Sequence, residues 1–277
     1  MTKFLFFDLD GTLKLRNQNI SESLLTYFSK LSKDGHKTTL ITGKMFHWLR
    51  ACLGDSLNRC VSPNFFIGLE NGSKALTLDG TMFFSEKFSE FEMSNICNFV
   101  MKRKKEISVL TFAPLEVLGK GVMYVFDKKI KDDLMKRYAP SYNFFDGDYL
   151  DFCDHFIAEN PGMLAVKISD FQKDDVFLSG MDVSVNEGYL DINPKNVNKG
   201  SFVRRVMSYY GKDLQDAIVV GNDDNDRSMF ELPVYKKVFV RGGAKDLSID
   251  FPDLNFADEP DDLPRVIEGV LKGLGSD

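Results

Sequence analysis

Residues 3–12 of the chain read KFLFFDLDGT. Four apolar residues, Phe4–Phe7, are followed at once by a loop sequence that contains Asp8, Asp10 and Gly11. A short, uninterrupted apolar run that stops at acidic residues and a glycine is typical of a strand that is buried on both faces and ends in a loop. The stretch therefore predicts an interior strand whose loop begins at Asp8.

Helical and extended patterns alternate in the sequence that follows. Ser21 can cap a helix that runs to about Lys33, and residues 38–41 read as a second strand. Residues 45–53 have a helical pattern again, and residues 65–67 form the next apolar run. This alternation predicts an α/β fold with a doubly wound parallel sheet.

The alternation stops in the middle of the chain and then resumes. Residues 81–187 mix two helical patterns with extended stretches, which predicts an inserted α+β unit. From Lys199 onward the order of helix, strand and loop returns, so the two outer segments read as halves of one domain. We therefore expect a core formed by residues 1–80 and 188–277 and an inserted domain over residues 81–187.

The bulk composition limits the class of protein. The 277 residues are 43% hydrophobic, which is enough for a substantial core and argues against a disordered chain. A net charge of −6 would repel a phosphate backbone and disfavours nucleic acid as a general partner. The apolar start is too short for a signal-peptide core or a membrane span, so we expect a cytoplasmic protein that does not enter the membrane.

Polar residues suited to phosphate chemistry follow three of the predicted strands. They occupy residues 8–10 after the first strand, Thr42 and Gly43 after the second, and residues 222–226 (NDDND) after a later one. Lys199 opens the helix that precedes the last of these strands. Because ligands of an open parallel sheet bind beyond the carboxyl ends of its strands, we expect these residues to share one site.

The residue types in these loops indicate a metal and phosphoryl transfer. Asp8 and Asp10 would repel each other at a buried strand end unless a cation or a shared proton compensates. The further oxygen ligands at residues 222–226 favour Mg²⁺ over zinc or copper. Each acidic loop alone is better explained as a solvated turn that caps a helix. Together with Thr42 and Lys199, however, the loops supply a nucleophile, a metal site and a phosphate clamp.

This set of motifs, in this order, resembles the haloacid dehalogenase (HAD) superfamily. The motifs of that superfamily are a D-x-D-G-T loop, a Thr or Ser after the second strand, a Lys, and an acidic terminal loop. Its Cof-type branch has sequences similar to Glu70–Gly72, to residues 190–200, and to the Asn225 and Asp226 pair. The resemblance covers residues 3 to about 245, and it implies a Rossmann-like catalytic core with the inserted domain as a large α/β cap that sets substrate specificity.

The resemblance also implies a role for each matching residue. Asp8 would attack phosphorus as the nucleophile, and Asp10 would protonate the leaving oxygen and then activate water. Mg²⁺ would bind the Asp8 carboxylate and the Asp10 carbonyl oxygen. The implied phosphate-binding residues are Leu9, Gly11, Thr42, Gly43 and Lys199; the further metal-binding candidates are Asn222, Asp223 and Asp226; and the supporting residues are Thr12, Asn71 and Asn225.

Two positions depart from the family pattern. Asn222 follows Gly221 where the family usually has an aspartate, so a neutral amide stands at an expected metal ligand. Either Asp223 substitutes for it, or Asn222 binds the metal through its side-chain oxygen with weaker affinity; Asp226 is the safer expectation. The second departure is at residues 241–244 (RGGA), which lack an Asn that relatives often have before the Ala.

We therefore expect a HAD-type phosphoric monoester hydrolase that uses Mg²⁺. It would hydrolyse small phosphomonoesters, such as sugar phosphates, through an aspartyl-phosphate intermediate. A sugar phosphomutase is the alternative among enzymes, and a catalytically weak sensor of phosphate ligands is the alternative outside them. The expected partner is a small phosphorylated metabolite, and the expected assembly is a monomer or a small homo-oligomer.

Overall fold

The computed structural model describes residues 2–15, 18–114, 119–171, 176–186, 188–241 and 250–273. The chain divides into two compact units. The first unit comprises Met1–Thr42, Leu53–Phe83 and Asn198–Asp277. The second unit comprises Gly43–Cys52 and Phe84–Val197.

The secondary structure alternates between strands and helices in the outer segments and is richer in strands between them. The helices are α1 (Glu22–Lys33), α2 (Phe46–Leu53), α3 (Ser56–Cys60), α4 (Glu90–Arg103), α5 (Lys128–Tyr138), α6 (Tyr149–Glu159), α7 (Lys199–Tyr209), α8 (Arg227–Phe230) and α9 (Leu263–Leu271). The strands are β1 (Phe4–Phe7), β2 (Lys37–Leu40), β3 (Ile67–Leu69), β4 (Lys74–Leu76), β5 (Met82–Ser85), β6 (Ile107–Phe112), β7 (Gly121–Val125), β8 (Tyr142–Phe145), β9 (Leu164–Ile168), β10 (Asp182–Asn186), β11 (Tyr189–Asn193), β12 (Ala217–Gly221), β13 (Lys236–Val240) and β14 (Leu254–Ala257).

The first unit is built on a parallel sheet with the strand order β14-β13-β12-β1-β2. Strand β1 lies between β12 and β2, and all four of its residues are buried, as its apolar sequence predicts. Phe7 is in register with Val220 on one side and with Leu40 on the other. Because the strands are parallel and in register here, the segments that follow β1, β2 and β12 leave the sheet at the same edge.

Local signals in the sequence explain most element ends in this unit, with one shift. The Ser21 hydroxyl caps α1 by accepting a hydrogen bond from the Leu24 backbone N–H at 3.2 Å, as predicted. The apolar run at residues 65–67 enters a strand only at Ile67. Phe65 lies before that strand, and its ring packs against the side chains of Phe4 and Tyr210 in the core.

The second unit contains a sheet with the strand order β10-β11-β9-β6-β7-β8, in which only the β7–β8 pair is parallel. Phe99 of α4 and Phe152 of α6 are buried in one apolar cluster with Leu110 of β6. Leu134 of α5 is buried in a second cluster with Val109, the neighbour of Leu110. Since successive residues of a strand point to opposite faces, the sheet is covered on both sides.

The boundaries between the two units lie at other positions than those predicted from the sequence. The expected boundary between residues 187 and 188 falls inside the β10–β11 hairpin, where Asp182 pairs with Asn193. Strand β11 also pairs with β9, so ladder hydrogen bonds keep it in the second unit. The predicted fold class, a parallel doubly wound core with an inserted α+β unit, is confirmed. Among the described residues, no helix is both long and apolar enough to cross a membrane.

Candidate active site

Loops that follow parallel strands hold the polar residues of the candidate site. Asp8 directly follows β1, and its backbone N–H donates to the carbonyl oxygen of Val220 in β12 at 2.9 Å. Thr42 lies two residues after the end of β2, and Asn222 directly follows β12. The register of β2, β1 and β12 therefore brings Asp8, Thr42 and Asn222 to one edge of the sheet.

A buried lysine joins two aspartates at this edge. Lys199 is the first residue of α7, and its Nζ donates to Asp8 Oδ1 and to Asp226 Oδ1, each at 2.6 Å. Lys199 and Asp226 are fully buried, and Asp8 is only 5% exposed. We call these three residues the buried triad. Charges removed from water to this extent remain stable only when they are paired, so both aspartates depend on Lys199, and Lys199 depends on them.

Burial and neighbouring charges shift the proton affinities within the buried triad. Burial raises the pKa of Asp8 to about 7; Lys199 opposes this shift, while Asp226 and Asp10 add to it. Burial alone would lower the pKa of Lys199, but the charges of Asp226 and Asp8 raise it well above its usual value. Lys199 is therefore cationic at neutral pH, whereas Asp8 changes protonation state near neutrality when no metal is bound.

Asp226 organises the acidic loop after β12. Its Oδ2 accepts hydrogen bonds from the backbone N–H groups of Asn222 at 2.8 Å and Asp223 at 3.2 Å. A Cβ atom at Gly221 would come within 2.5 Å of the Asp226 carboxylate, so the loop requires glycine there. Because its other oxygen contacts Lys199, the carboxylate of Asp226 positions both the loop and the lysine.

The side chain of Asn222 contacts the loop after β1. One terminal atom of its amide lies 3.0 Å from Thr12 Oγ1, 3.2 Å from Asp8 Oδ2 and 3.1 Å from the Asp10 carbonyl oxygen. A backbone carbonyl oxygen can only accept hydrogen bonds, so the amide presents its NH₂ group here. Gly11, with φ of +83°, lies against the amide, and any side chain at that position would overlap it.

Asp10 lies in a more open environment than Asp8. Its Oδ1 is 3.1 Å from the Nζ of Lys14, and the Asp10 side chain is 28% exposed. The backbone N–H of Gly11 donates to the carbonyl oxygen of Lys14 at 2.8 Å and closes the turn that holds the pair. The residue expected to act as acid and base therefore contacts a second lysine, separate from the buried triad.

The other residues expected to bind phosphate or support the site have mixed settings. The side chain of Leu9 is fully buried, and its carbonyl oxygen accepts from the Leu13 N–H at 2.9 Å. Thr42 is buried, and its carbonyl oxygen accepts from the Asn71 N–H at 3.0 Å. This bond ties the turn at Glu70–Gly72 to the end of β2. Gly43 is the first residue of the second unit.

The remaining metal candidates lie in the acidic loop. Asp223 caps the short 3₁₀ turn Asp224–Asp226, because its Oδ1 accepts from the Asp224 N–H at 2.7 Å. Asn225 lies within this turn and is half-buried. The expected departure at residues 241–244 falls mostly outside the described residues, which end at Arg241 before this gap.

A family model of haloacid dehalogenase-like hydrolases matches residues 5–236. The chain belongs to this family. An HMP-PP phosphatase of Klebsiella pneumoniae is 24% identical to this hydrolase over 92% of the chain and 89% of its own length. The match over most of the chain confirms the predicted HAD superfamily. The expected enzyme class is confirmed as well, since phosphatases are among the relatives.

Solved structures support the fold of the hydrolase. A HAD-superfamily phosphatase from Bacteroides thetaiotaomicron gives a TM-score of 0.77 at 17% identity, covering 99% of this chain and 96% of its own. A HAD subclass IIB sugar phosphatase gives 0.76 at 15% identity, covering 99% of this chain and 100% of its own. These likenesses agree with the predicted Cof-type architecture, a HAD core with a large α/β cap.

Two lysines of this hydrolase were not identified from the sequence as parts of the site region. Lys14 contacts Asp10, and its only signal is a cation between two leucines just after the D-x-D-G-T motif. Lys74 pairs with Glu70 at 2.8 Å, and both side chains are almost fully buried. Residue spacing alone does not show that either side chain turns inward, so neither contact could be inferred.

The oxygen atoms that could bind a cation in the hydrolase fit Mg²⁺, and together these ligands carry little negative charge. Asp8 Oδ2 and the Asp10 carbonyl oxygen both lie within 3.2 Å of one amide atom of Asn222. Three oxygen-bearing groups thus converge, and oxygen is the ligand that Mg²⁺ prefers. Within the described residues, no three His, Cys, Asp or Glu side chains gather into a metal-binding group. A cation here would therefore rely on one carboxylate, a backbone carbonyl and an amide oxygen.

Proposed function

We propose that this hydrolase is a Mg²⁺-dependent phosphatase of small phosphomonoesters that works through an aspartyl-phosphate. The observation that carries the proposal is the Asp8 carboxylate, which Lys199 holds at the end of β1 only two residues before Asp10. A carboxylate with a fixed cation on one side and an acid nearby suits nucleophilic attack on phosphorus. The family membership agrees with this chemistry.

In the proposed mechanism, Asp8 and Asp10 carry out the reaction in two steps. An oxygen of Asp8 bonds to phosphorus as the bond from phosphorus to the leaving oxygen breaks, and Asp10 donates a proton to that oxygen. Asp10 then removes a proton from a water molecule, whose oxygen displaces Asp8 and releases phosphate. Contact with Lys14 keeps Asp10 at the exposed side of the loop, where substrate and water can reach it.

The other residues stabilise charge on the transferred group. Lys199 is fixed at the start of α7, and Thr42 and the backbone N–H groups of the surrounding loops are the further candidates to hold phosphoryl oxygens. Mg²⁺, when bound, would neutralise negative charge on those oxygens, and Asp8, the Asp10 carbonyl and Asn222 would hold it. Asp226 keeps Lys199 and the acidic loop in position.

The substrate class is proposed from relatives and from the second unit. One relative is an HMP-PP phosphatase, and one structural neighbour is a sugar phosphatase. Both names favour a small phosphorylated metabolite, with the second unit as the cap that selects it. A cytoplasmic location and a monomeric or small homo-oligomeric state remain predictions from the sequence.

The proposal is tested by measuring phosphate release from a panel of phosphomonoesters, with Mg²⁺ and with a chelator, for the natural protein and Asp8→Asn. We expect release that depends on Mg²⁺ and is lost in the variant. Turnover that rises with an added sugar acceptor would instead indicate a phosphomutase. Tight substrate binding without turnover, in folded and metal-loaded protein, would favour the sensor, for which the neutral Asn222 is the supporting observation.

A further inference from the structure

We propose that the Asn222 amide occupies the cation position in the metal-free protein and must rotate by a half-turn when Mg²⁺ binds. The inference rests on the Mg²⁺ site of the proposed function and assigns Asn222 a role that this site alone does not require. Without metal, the amide nitrogen holds the two oxygens that a cation would bind. With metal, the amide oxygen would take the place of the NH₂ group and face the cation.

The contacts of the amide support the first half of this inference. Its NH₂ group lies 3.2 Å from Asp8 Oδ2 and 3.1 Å from the Asp10 carbonyl oxygen. An amide oxygen at the same position would face a backbone carbonyl with no proton between them, which costs free energy in a buried place. The NH₂ group instead donates to these oxygens and replaces part of the charge that a cation would supply.

The packing around Asn222 supports the second half. Its backbone N–H is held by Asp226 Oδ2 at 2.8 Å, and the residue is 7% exposed. Gly11 lies against the opposite side of the amide. The side chain therefore has little room to swing away, and a half-turn of the amide in place is the smallest change that directs an oxygen at the cation.

The charges around the site predict the energetic result. Asp8 would be the one carboxylate among the three ligands, since Asn222 and the Asp10 carbonyl are neutral. Affinity for hard cations rises with the charge of the ligand set. An aspartate at position 222 should therefore bind Mg²⁺ more tightly, but without metal it would face Asp8 and lose the amide hydrogen bonds. Metal affinity and metal-free stability should change in opposite directions.

The neighbouring Asp223 offers a matched control. Its Oδ1 accepts from the Asp224 N–H at 2.7 Å, so it caps the turn of the acidic loop. Asp223→Asn removes one negative charge next to position 222, whereas Asn222→Asp adds one. If only the local charge mattered, the two substitutions would change Mg²⁺ affinity by similar factors in opposite directions. If position 222 is the ligand, the effect of Asn222→Asp is much the larger.

The test measures Mg²⁺ binding by calorimetry, and melting temperature with and without Mg²⁺, for the natural protein and both variants. We expect Asn222→Asp to lower the Mg²⁺ dissociation constant by about tenfold or more. We also expect it to melt below the natural protein in chelator and above it in saturating Mg²⁺. Equal affinity in the two proteins, or an equally large opposite effect of Asp223→Asn, would overturn the inference.

A second measurement uses the natural protein and so does not depend on a variant that folds without metal. The side-chain NH₂ signals of Asn222 in a ¹⁵N NMR spectrum are assigned as the signals that are missing from the spectrum of the metal-loaded Asn222→Asp variant. We expect them to exchange slowly in chelator and to shift when Mg²⁺ is added. Unchanged signals at saturating Mg²⁺ would contradict the inference. If these metal effects are seen but no phosphate is released, only the proposed function is overturned. If phosphate is released although the protein binds no Mg²⁺, only the metal role and this inference are overturned.

Discussion

Two lysine–aspartate contacts lie at the same edge of the core sheet and differ in their exposure to water. In the buried triad, Lys199 contacts Asp8 and Asp226 at 2.6 Å, and the lysine is fully buried. In the second contact, which we call the loop pair, Lys14 lies 3.1 Å from Asp10, whose side chain is 28% exposed. The two contacts have the same residue types and should have different functions.

The difference follows from solvation. Breaking a buried charge pair leaves an unpaired charge that water cannot reach, so folding and function suffer together. In the loop pair the Asp10 side chain is partly exposed although that of Lys14 is only 9% exposed, so breaking this pair costs less than breaking the buried triad. The comparison suggests that the buried triad links catalysis to folding, whereas the loop pair keeps the expected acid-base residue partly exposed to water.

The largest effect is expected for Lys199→Met, which removes the cation of the buried triad. Asp8 and Asp226 would remain as unpaired buried carboxylates, and the free energy of unfolding should fall by about 3–5 kcal/mol. Phosphate release should be lost as well. Denaturant unfolding and phosphate assays measure the two losses.

The double variant Lys199→Met/Asp226→Asn is the control for this interpretation. Removing one of the two uncompensated carboxylates should restore part of the stability but none of the activity. If Lys199→Met were as stable as the natural protein, the contrast between the two contacts would be wrong.

Asp10→Asn should separate function from stability. It removes the proposed acid and base, so turnover should fall by about 10²- to 10⁴-fold. Asp10 is partly exposed, and an asparagine keeps an oxygen that can face Lys14, whose side chain is only 9% exposed, so the melting temperature should fall far less than for Lys199→Met. Steady-state phosphate release and thermal denaturation test the two expectations. A variant that loses stability as severely as Lys199→Met would show that the loop pair is not the weaker contact.

The pH dependence of stability should report the buried triad. In metal-free protein the pKa of Asp8 rises from 3.8 to about 7, mainly through burial. A raised pKa means that the folded state holds the proton more tightly, so this stabilisation is complete below about pH 4 and is lost as pH rises through 7. In chelator, the free energy of unfolding should fall over this range relative to Asp8→Asn. Parallel curves for the two proteins would contradict the shift.

The smallest effect is expected for Lys14→Met. The carboxylate that remains, Asp10, is partly exposed and water can solvate it, so the free energy of unfolding should fall by about 1 kcal/mol or less. Chemical denaturation of this variant beside Lys199→Met gives the most direct contrast between the two lysines. A loss of similar size in both variants would remove the distinction based on burial.

The sequence predicted the parts of the fold that depend on local pattern. The buried strand β1 and the Ser21 cap of α1 both follow from apolar spacing and residue type. The membership of β11 in the second unit did not follow, because it depends on ladder hydrogen bonds with β9 and β10. Pairing of this kind is decided by tertiary structure rather than by the strand's own residues.

The candidate site shows the same limit. Asp8 and Lys199 could be assigned to one site from the order of the motifs, although 191 positions separate them. The contact between the Asn222 amide and the Asp10 carbonyl could not, since it depends on the close approach that Gly11 allows. The contact of Lys14 could not be predicted either, because nothing in its spacing from Asp10 shows that its side chain turns back toward the carboxylate.

The central claim is that Asp8 is the nucleophile that becomes phosphorylated. Its most direct test is to trap the covalent phosphoenzyme. A substrate found in the panel, carrying a radioactive phosphoryl group, is mixed with enzyme and Mg²⁺ and quenched with acid within one turnover. Our account predicts a label on the peptide that contains Asp8, released by hydroxylamine and absent from Asp8→Asn. A label on another residue, or continued hydrolysis by Asp8→Asn, would contradict it.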